Sequence, residues 1–222
     1  SAVGGVVFAD IITNRKNVQD VIEGGPPSVI MNHMATDMGA SSVSVDNVKG
    51  ACTAVEYLIS LGHQKIAFIS GDLMTQAAAD RQKGYRMSLE KAGLPWNETY
   101  NLRGDYSRKS ARAAASKILD MDPRPTAVFV SSDDMAMEAI NVFLEGGLKV
   151  PKDISVIGFD DDPVCLYGSV SLTTIRQPLR DMAQAAVKEL YLKIQDPTRG
   201  INHLVLSPDL IIRDSVAAPQ GR

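Results

Sequence analysis

A chain of 222 residues with a formal net charge of −3, 45% hydrophobic and 22% charged, has the make-up of a globular protein and can bury a large core. It lacks the cationic surface that a phosphate backbone demands, so the polypeptide by itself is not expected to grip nucleic acid. No run approaches the length that spans a bilayer, and no basic segment followed by an apolar core and cleavage site is seen at the start.

The elements follow a βαβ rhythm. Residues 3–8 (VGGVVF) read as a buried strand that Ala9-Asp10 ends. Residues 17–23 read as a short amphipathic helix stopped by Gly24-Gly25-Pro26-Pro27, and 28–32 and 42–45 as further strands. Such alternation predicts a parallel sheet. Asp46-Asn47 can cap a helix whose apolar positions Val48, Ala51, Cys52, Val55, Leu58 and Ile59 recur at helical spacing up to Gly62. Residues 65–70 are the next buried strand, 71–79 a loop, and a helix is predicted from about 80 to 91, closed by Gly93 and Pro95. A weaker strand near 99–103 leads through Gly104-Asp105-Tyr106 to an alanine-rich helix capped by Ser107. Strand 126–130 follows, then a helix begun by Ser131-Ser132-Asp133-Asp134 and ending at Glu145.

Residues 154–159 form a short, β-branched run suited to a strand covered on both faces. Gly158 lets its backbone approach something closely. Asp160, Asp161 and Asp162 follow at once, and Pro163 stops the ladder. Ligands of open α/β sheets sit beyond the carboxyl ends of the strands, which makes Asp160 a candidate contact. Asp161 and Asp162 read equally well as caps of the next short helix. Asp10 and Asn32, at two earlier strand ends, are weaker candidates by the same rule.

After 173–175, Pro178 opens a long helix to about 195, with Met182, Ala186, Leu190, Tyr191 and Ile194 inward, and short strands 203–206 and 209–212 follow. The helix ending at Glu145 has a core stripe of Ala136, Ala139, Ile140 and Phe143. Met137 and Leu144 form a second apolar line with Ile140 beside it, so the helix should be covered twice, by a neighbouring loop or by a second subunit. Cys52 and Cys165 read as reduced thiols of a cytoplasmic protein. His33, His63 and His203 lack ligand spacing, so no metal site is expected, and His63 reads as structural.

Several pieces stand in a recognisable order: 45–47 (VDN), 57–71 (YLISLGHQKIAFISG), 81–86 (RQKGYR), 125–136 (PTAVFVSSDDMA), 150–161 (VPKDISVIGFDD), 172–178 (LTTIRQP) and 210–215 (LIIRDS). From about residue 3 to 215 the chain resembles the effector-binding core of the lactose-repressor/galactose-repressor family of bacterial transcription regulators. The resemblance implies an α/β, two-lobed, periplasmic-binding-protein-like fold, with parallel sheets flanked by helices and ligand held between the lobes. Residues 1–46 and 177–203 would make the first lobe, 47–176 and 204–217 the second, and 218–222 a tail. The family's helix-turn-helix, hinge helix and first β-α units have no counterpart here, so the first lobe is expected to be incomplete, with an unpaired sheet edge.

A sugar-like ligand presents vicinal hydroxyls and an apolar face, which suit carboxylate, guanidinium and aromatic groups. The resemblance places Arg81, Asp160 and Tyr106 at the family's ligand-binding positions, with Arg81 and Asp160 converging across the gap between the lobes. Arg81 would open a helix, where a cation opposes the dipole and wants a reason. Ser132 stands where many members carry asparagine, which shortens its reach, and Asp133 is expected to orient the loop. Ala77-Ala78-Ala79 supply no polar group where relatives have hydroxyls, so no sugar identity transfers.

The implied protein is a cytoplasmic ligand-sensing regulator, not an enzyme, without cofactor or membrane partner. It would reach operator DNA only through the absent head, and pair as a homodimer through Met137, Ile140, Leu144, Val164 and Tyr167. An exported sugar-binding protein of a transport system shares the architecture. A Mg²⁺ enzyme using Asp133, Asp134, Asp160, Asp161 and Asp162 lacks a phosphate-cradling glycine loop, an activated serine or a paired lysine.

Overall fold

The computed structural model describes residues 3–9, 15–33 and 36–220. In chain order the first elements are β1 (Val6–Phe8), α1 (Arg15–Gly24), β2 (Ser28–Met31), β3 (Ser41–Val45), α2 (Asn47–Ser60), β4 (Ile66–Ile69), α3 (Gln76–Lys91) and β5 (Asn101–Leu102). They are followed by α4 (Arg108–Leu119), β6 (Ala127–Val130), α5 (Asp133–Glu145), β7 (Ser155–Asp160), β8 (Thr173–Arg176), α6 (Leu179–Gln195), β9 (His203–Leu206) and β10 (Asp209–Ile211). The chain forms two compact units, Ser1–Asp46 with Pro178–Ser207, and Asn47–Gln177 with Pro208–Arg222.

The first unit is a four-stranded parallel sheet in the order β1-β2-β3-β9. Successive strand residues face opposite sides, and both sides are covered. Ile30 packs with Val18, Met38 and Ala40, while Val29, Val43 and Val45 pack with Met182 and Ala186 of α6. Among the described residues β1 pairs with β2 alone and forms a sheet edge. Two expectations change here. Leu204 and the residues after it were assigned to the second lobe, but β9 runs parallel to β3 with Ser42 opposite His203 and Val45 opposite Leu206, and those ladder bonds hold residues up to Ser207 in the first unit. Tyr191 does not point inward and is 61% exposed, while Ile194, though exposed in part, rests its Cδ1 against Gly5. Five positions beyond Ala186, Tyr191 falls about 140° round the helix.

The second unit is a six-stranded sheet, β10-β8-β7-β6-β4-β5, parallel except for β10. Alternation again splits each strand between two cores. Ala67, Ile69, Val128, Val130 and Val156 meet α4 and α5, whereas Ile66, Phe68, Phe129, Ile157 and Phe159 meet α2 and α3. Phe68 stacks on Tyr85 and on Phe129, each with ring centroids 5.2 Å apart.

Two elements depart from the sequence reading. Helix α3 begins at Gln76, because Thr75 caps it by accepting a hydrogen bond from the Ala78 amide at 3.2 Å. Ala77, Ala78 and Ala79 are therefore helical, and Arg81 lies in the second turn, where the dipole argument has no force. The second apolar line of α5 is covered by the chain itself. Met137 and Ile140 are buried, a 3-10 turn at Pro163–Leu166 packs beside them, and Gly168 lies against the Met137 methyl group. Leu144 and Val164 are partly buried in the same core, while Tyr167 is 82% exposed. Met137 and Ile140 thus leave the set of candidate interface residues.

Candidate functional site

The carboxyl ends of β4, β6 and β7 in the second unit collect most of the predicted site residues. Arg81 comes from α3 and is 4% exposed. Its Cζ stacks 3.6 Å above the Phe159 ring of β7. Its Nε donates to Asn47 Oδ1 at 2.9 Å, and Nη1 donates to the Ser131 carbonyl at the end of β6. A guanidinium has five N–H donors, and Nη2 makes no hydrogen bond among the described residues. Asp160 Oδ1 stands 3.7 Å from Nη1. The two groups converge as expected, but both belong to the second unit rather than to opposite lobes.

Asp160 is half-buried, and burial pushes its carboxyl up to about 6 against the pull of Arg81, with Asp133 and Asp162 adding to the rise. Its Oδ1 accepts from Gln177 Nε2 at 2.5 Å, and its carbonyl accepts from the Gln177 amide at 3.2 Å. These bonds hold a strained backbone. Asp160 has φ 127°, Asp161 φ 61°, Tyr106 φ 68° and Asn32 φ 60°. Each such residue costs about 1–3 kcal/mol unless its surroundings over-determine it, and this kind of strain gathers at ligand clamps. Asp160, Tyr106 and Asn32 are among the ligand contacts expected from the sequence.

Asp133 sits below them as an anchor. Its Oδ1 accepts from Thr174 Oγ1 at 2.5 Å, and its Oδ2 accepts from the Asp162 amide at 2.9 Å and from Cys165 Sγ at 3.1 Å. It is fully buried, and burial raises its pKa. The close neighbour that Gly158 was expected to admit is this carboxylate, since a Cβ at 158 would collide with Asp133 Oδ1 and approach Leu172. Through the Asp162 amide, Asp133 holds the segment that follows β7. Ser132, by contrast, is the N-cap of α5, its hydroxyl accepting from the Met135 amide at 3.5 Å.

Asp162 caps the 3-10 turn through the Val164 amide at 3.0 Å. Burial works against the Asp161 charge, but Arg213 and Arg176 outweigh it and hold that carboxyl below its usual range. Asp134 turns to Arg108. The five carboxylates therefore have separate tasks, and no group of three His, Cys, Asp or Glu side chains among the described residues could hold a metal ion.

Tyr106 is half-buried, with its ring laid so closely on Gly71 that a Cβ there would overlap it. A Gly71→Ala substitution should swing the ring away. The displaced group is a half-exposed side chain, so Tm in thermal unfolding should change little. Asn32 is an exposed residue of the first unit, at the end of β2, and Asp10 lies outside the described residues. Sequence reasoning missed Asn47 and Gln177 as partners, and also Ser131, whose buried Oγ has no partner among the described residues. His63 is structural as read: Nε2 donates to the Ala217 carbonyl at 2.8 Å, and Nδ1 lies 2.9 Å from Thr126 Oγ1. No helix among the described residues is long and apolar enough to cross a membrane.

Residues 55–216 match the model of the periplasmic binding protein-like domain family. The chain is 36% identical over 211 residues to the HTH-type transcriptional repressor PurR of Vibrio campbellii, covering 95% of this chain and 63% of that protein. It is similar in structure to the transcriptional regulator CelR in complex with cellobiose (TM-score 0.89, 32% identity, 96% of this chain and 66% of that one). A regulatory protein of the LacI family from Chloroflexus aggregans superposes with a TM-score of 0.88 at 32% identity, over 96% of this chain and 77% of that one. The chain spans 57–63% of the length of three curated relatives it matches. This α/β chain belongs to the periplasmic binding protein-like domain family and, within it, to the LacI family of transcriptional regulators.

Proposed function

We propose that this chain is the ligand-sensing core of a transcription regulator, and that Arg81, Asp160 and Tyr106 hold an uncharged, hydroxylated effector of the sugar class. The observation that carries the reading is the Arg81–Asp160 pair at 3.7 Å, with Nη2 left over as a donor. A guanidinium edge beside a carboxylate offers donor and acceptor together, which suits adjacent hydroxyls. The opposite charges offset each other, so a charged effector gains little from the pair. The cellobiose held by the related CelR supports the sugar class. Effector binding would bias a conformational equilibrium through differential contacts. Operator DNA would be read by a part of the whole protein outside these residues, in the cytoplasm. The test is a thermal-shift screen of the full-length regulator against neutral sugars, sugar phosphates and purines. A Tm rise with neutral sugars, absent in Arg81→Ala, is expected; a rise confined to purines or phosphates would overturn the sugar assignment.

The Asp160 carboxyl, at about 6, gives the binding a pH dependence. The carboxylate accepts from ligand hydroxyls, and the protonated acid loses acceptor capacity. Affinity should therefore hold above pH 7 and decline as pH falls through 6. Asp160→Asn should bind weakly at every pH between 5 and 8, with a flat profile by calorimetry. A wild-type profile equally flat would contradict the role.

The homodimer is likewise proposed. With Met137 and Ile140 covered, the exposed apolar side chains in and after the 3-10 turn that packs on α5 are Leu166 and Tyr167. Tyr167→Asp should yield monomers in sedimentation velocity with an unchanged Tm.

A further inference from the structure

The second unit carries a concavity at the amino ends of the same parallel strands. A cleft of about 550 Å³ opens between the residues that lead into β4, β6 and β7, with Pro123, Pro125, Pro151 and Pro219 in its wall. That volume is in the range of small-molecule sites. Lys65, Arg124 and Lys152 line it. None of the three makes an ion pair among the described residues, whereas Arg86, Arg108, Arg112, Arg176 and Arg213 each meet a carboxylate.

Arg124 donates to the Leu119 carbonyl through Nη2 at 2.6 Å, and its Nε–H is buried without an acceptor. Buried donors are rarely left so. An anion that draws the guanidinium into the cleft would supply the missing acceptor. Two acids also line the cleft. Asp153 Oδ2 accepts from the Lys149 amide at 2.8 Å, and Asp122 is exposed and unpaired among the described residues. They leave one net positive charge and oppose an extended polyanion. His63, whose pKa burial lowers, adds no charge to the wall near neutrality.

We propose that this cleft binds a small dianion, a phosphate monoester or a dicarboxylate, held by the planar fork of Arg124 and the two point charges of Lys65 and Lys152. Nothing in the effector reading requires this site, and its residues are separate from those around Arg81.

Titration calorimetry at low ionic strength, where surface charge is least screened, tests it with two probes, inorganic phosphate and succinate. The Lys65→Gln/Lys152→Gln double variant removes two exposed charges and no side-chain hydrogen bond among the described residues, so it should fold as the wild type does. Arg124→Gln is the second variant. Saturable binding of one or both probes is expected, with Kd raised about tenfold or more in each variant, and the probe that binds distinguishes phosphate from carboxylate chemistry. Absence of saturable binding of both probes, or an unchanged Kd in the double variant, would overturn the proposal.

Discussion

Arg81→Ala is expected to weaken effector binding about a hundredfold or more and to destabilise the second unit by about 2–4 kcal/mol, as truncating one partner of a buried polar pair does. The loss has three physical sources. The Asn47 Oδ1 and Ser131 carbonyl lose the donor that they share, although α2 and β6 still hold them in place. The Phe159 ring loses the cation above it. Asp160, half-buried with a pKa near 6, loses its neighbouring positive charge, so ionising it becomes harder still. Arg81→Lys keeps a charge but not the planar fork, and should recover stability more than affinity. Urea unfolding alongside titration calorimetry separates the two. Full affinity in Arg81→Ala would remove the guanidinium from the site.

Asp133→Ala should have the largest effect on stability, a loss of about 3–5 kcal/mol from a single buried carboxylate. Thr174 Oγ1, Cys165 Sγ and the Asp162 amide would all lose their acceptor at once, in a pocket with no solvent to replace it. The Asp162 amide belongs to the segment that leaves β7 through two strained residues, so releasing it should also let Asp160 relax from φ 127° and lower affinity. Asp133→Asn keeps the shape and an acceptor, and should lose about half as much. Chemical denaturation with both variants checks the order, and equal stability of wild type and Asp133→Ala would show that the carboxylate anchors nothing.

The parts of this site that were legible in the sequence are those set by rules local to the chain. A buried apolar run followed by acids and a proline marks a strand end, and the strand-end rule then picks out Asp160. Gly158 announced a close approach, later filled by Asp133. What stayed hidden is tertiary. Asn47 lies 34 positions and Ser131 50 positions from Arg81, and no periodicity encodes a hydrogen bond across such intervals. The start of α3 falls four residues before the predicted one, and the hydrogen bond from the Ala78 amide to Thr75 is what fixes it there. The second apolar line of α5 was visible, but a stripe does not say what covers it, and here the chain's own turn at Pro163–Leu166 does.

The most direct measurement is a crystal structure of the protein bound to the effector that the thermal screen selects. The Arg81 guanidinium and the Asp160 carboxylate should each lie about 2.7–3.2 Å from hydroxyl groups of one ligand molecule, with the Tyr106 ring against its apolar face. An effector seated elsewhere, with Arg81 and Asp160 facing only each other and water, would contradict the account.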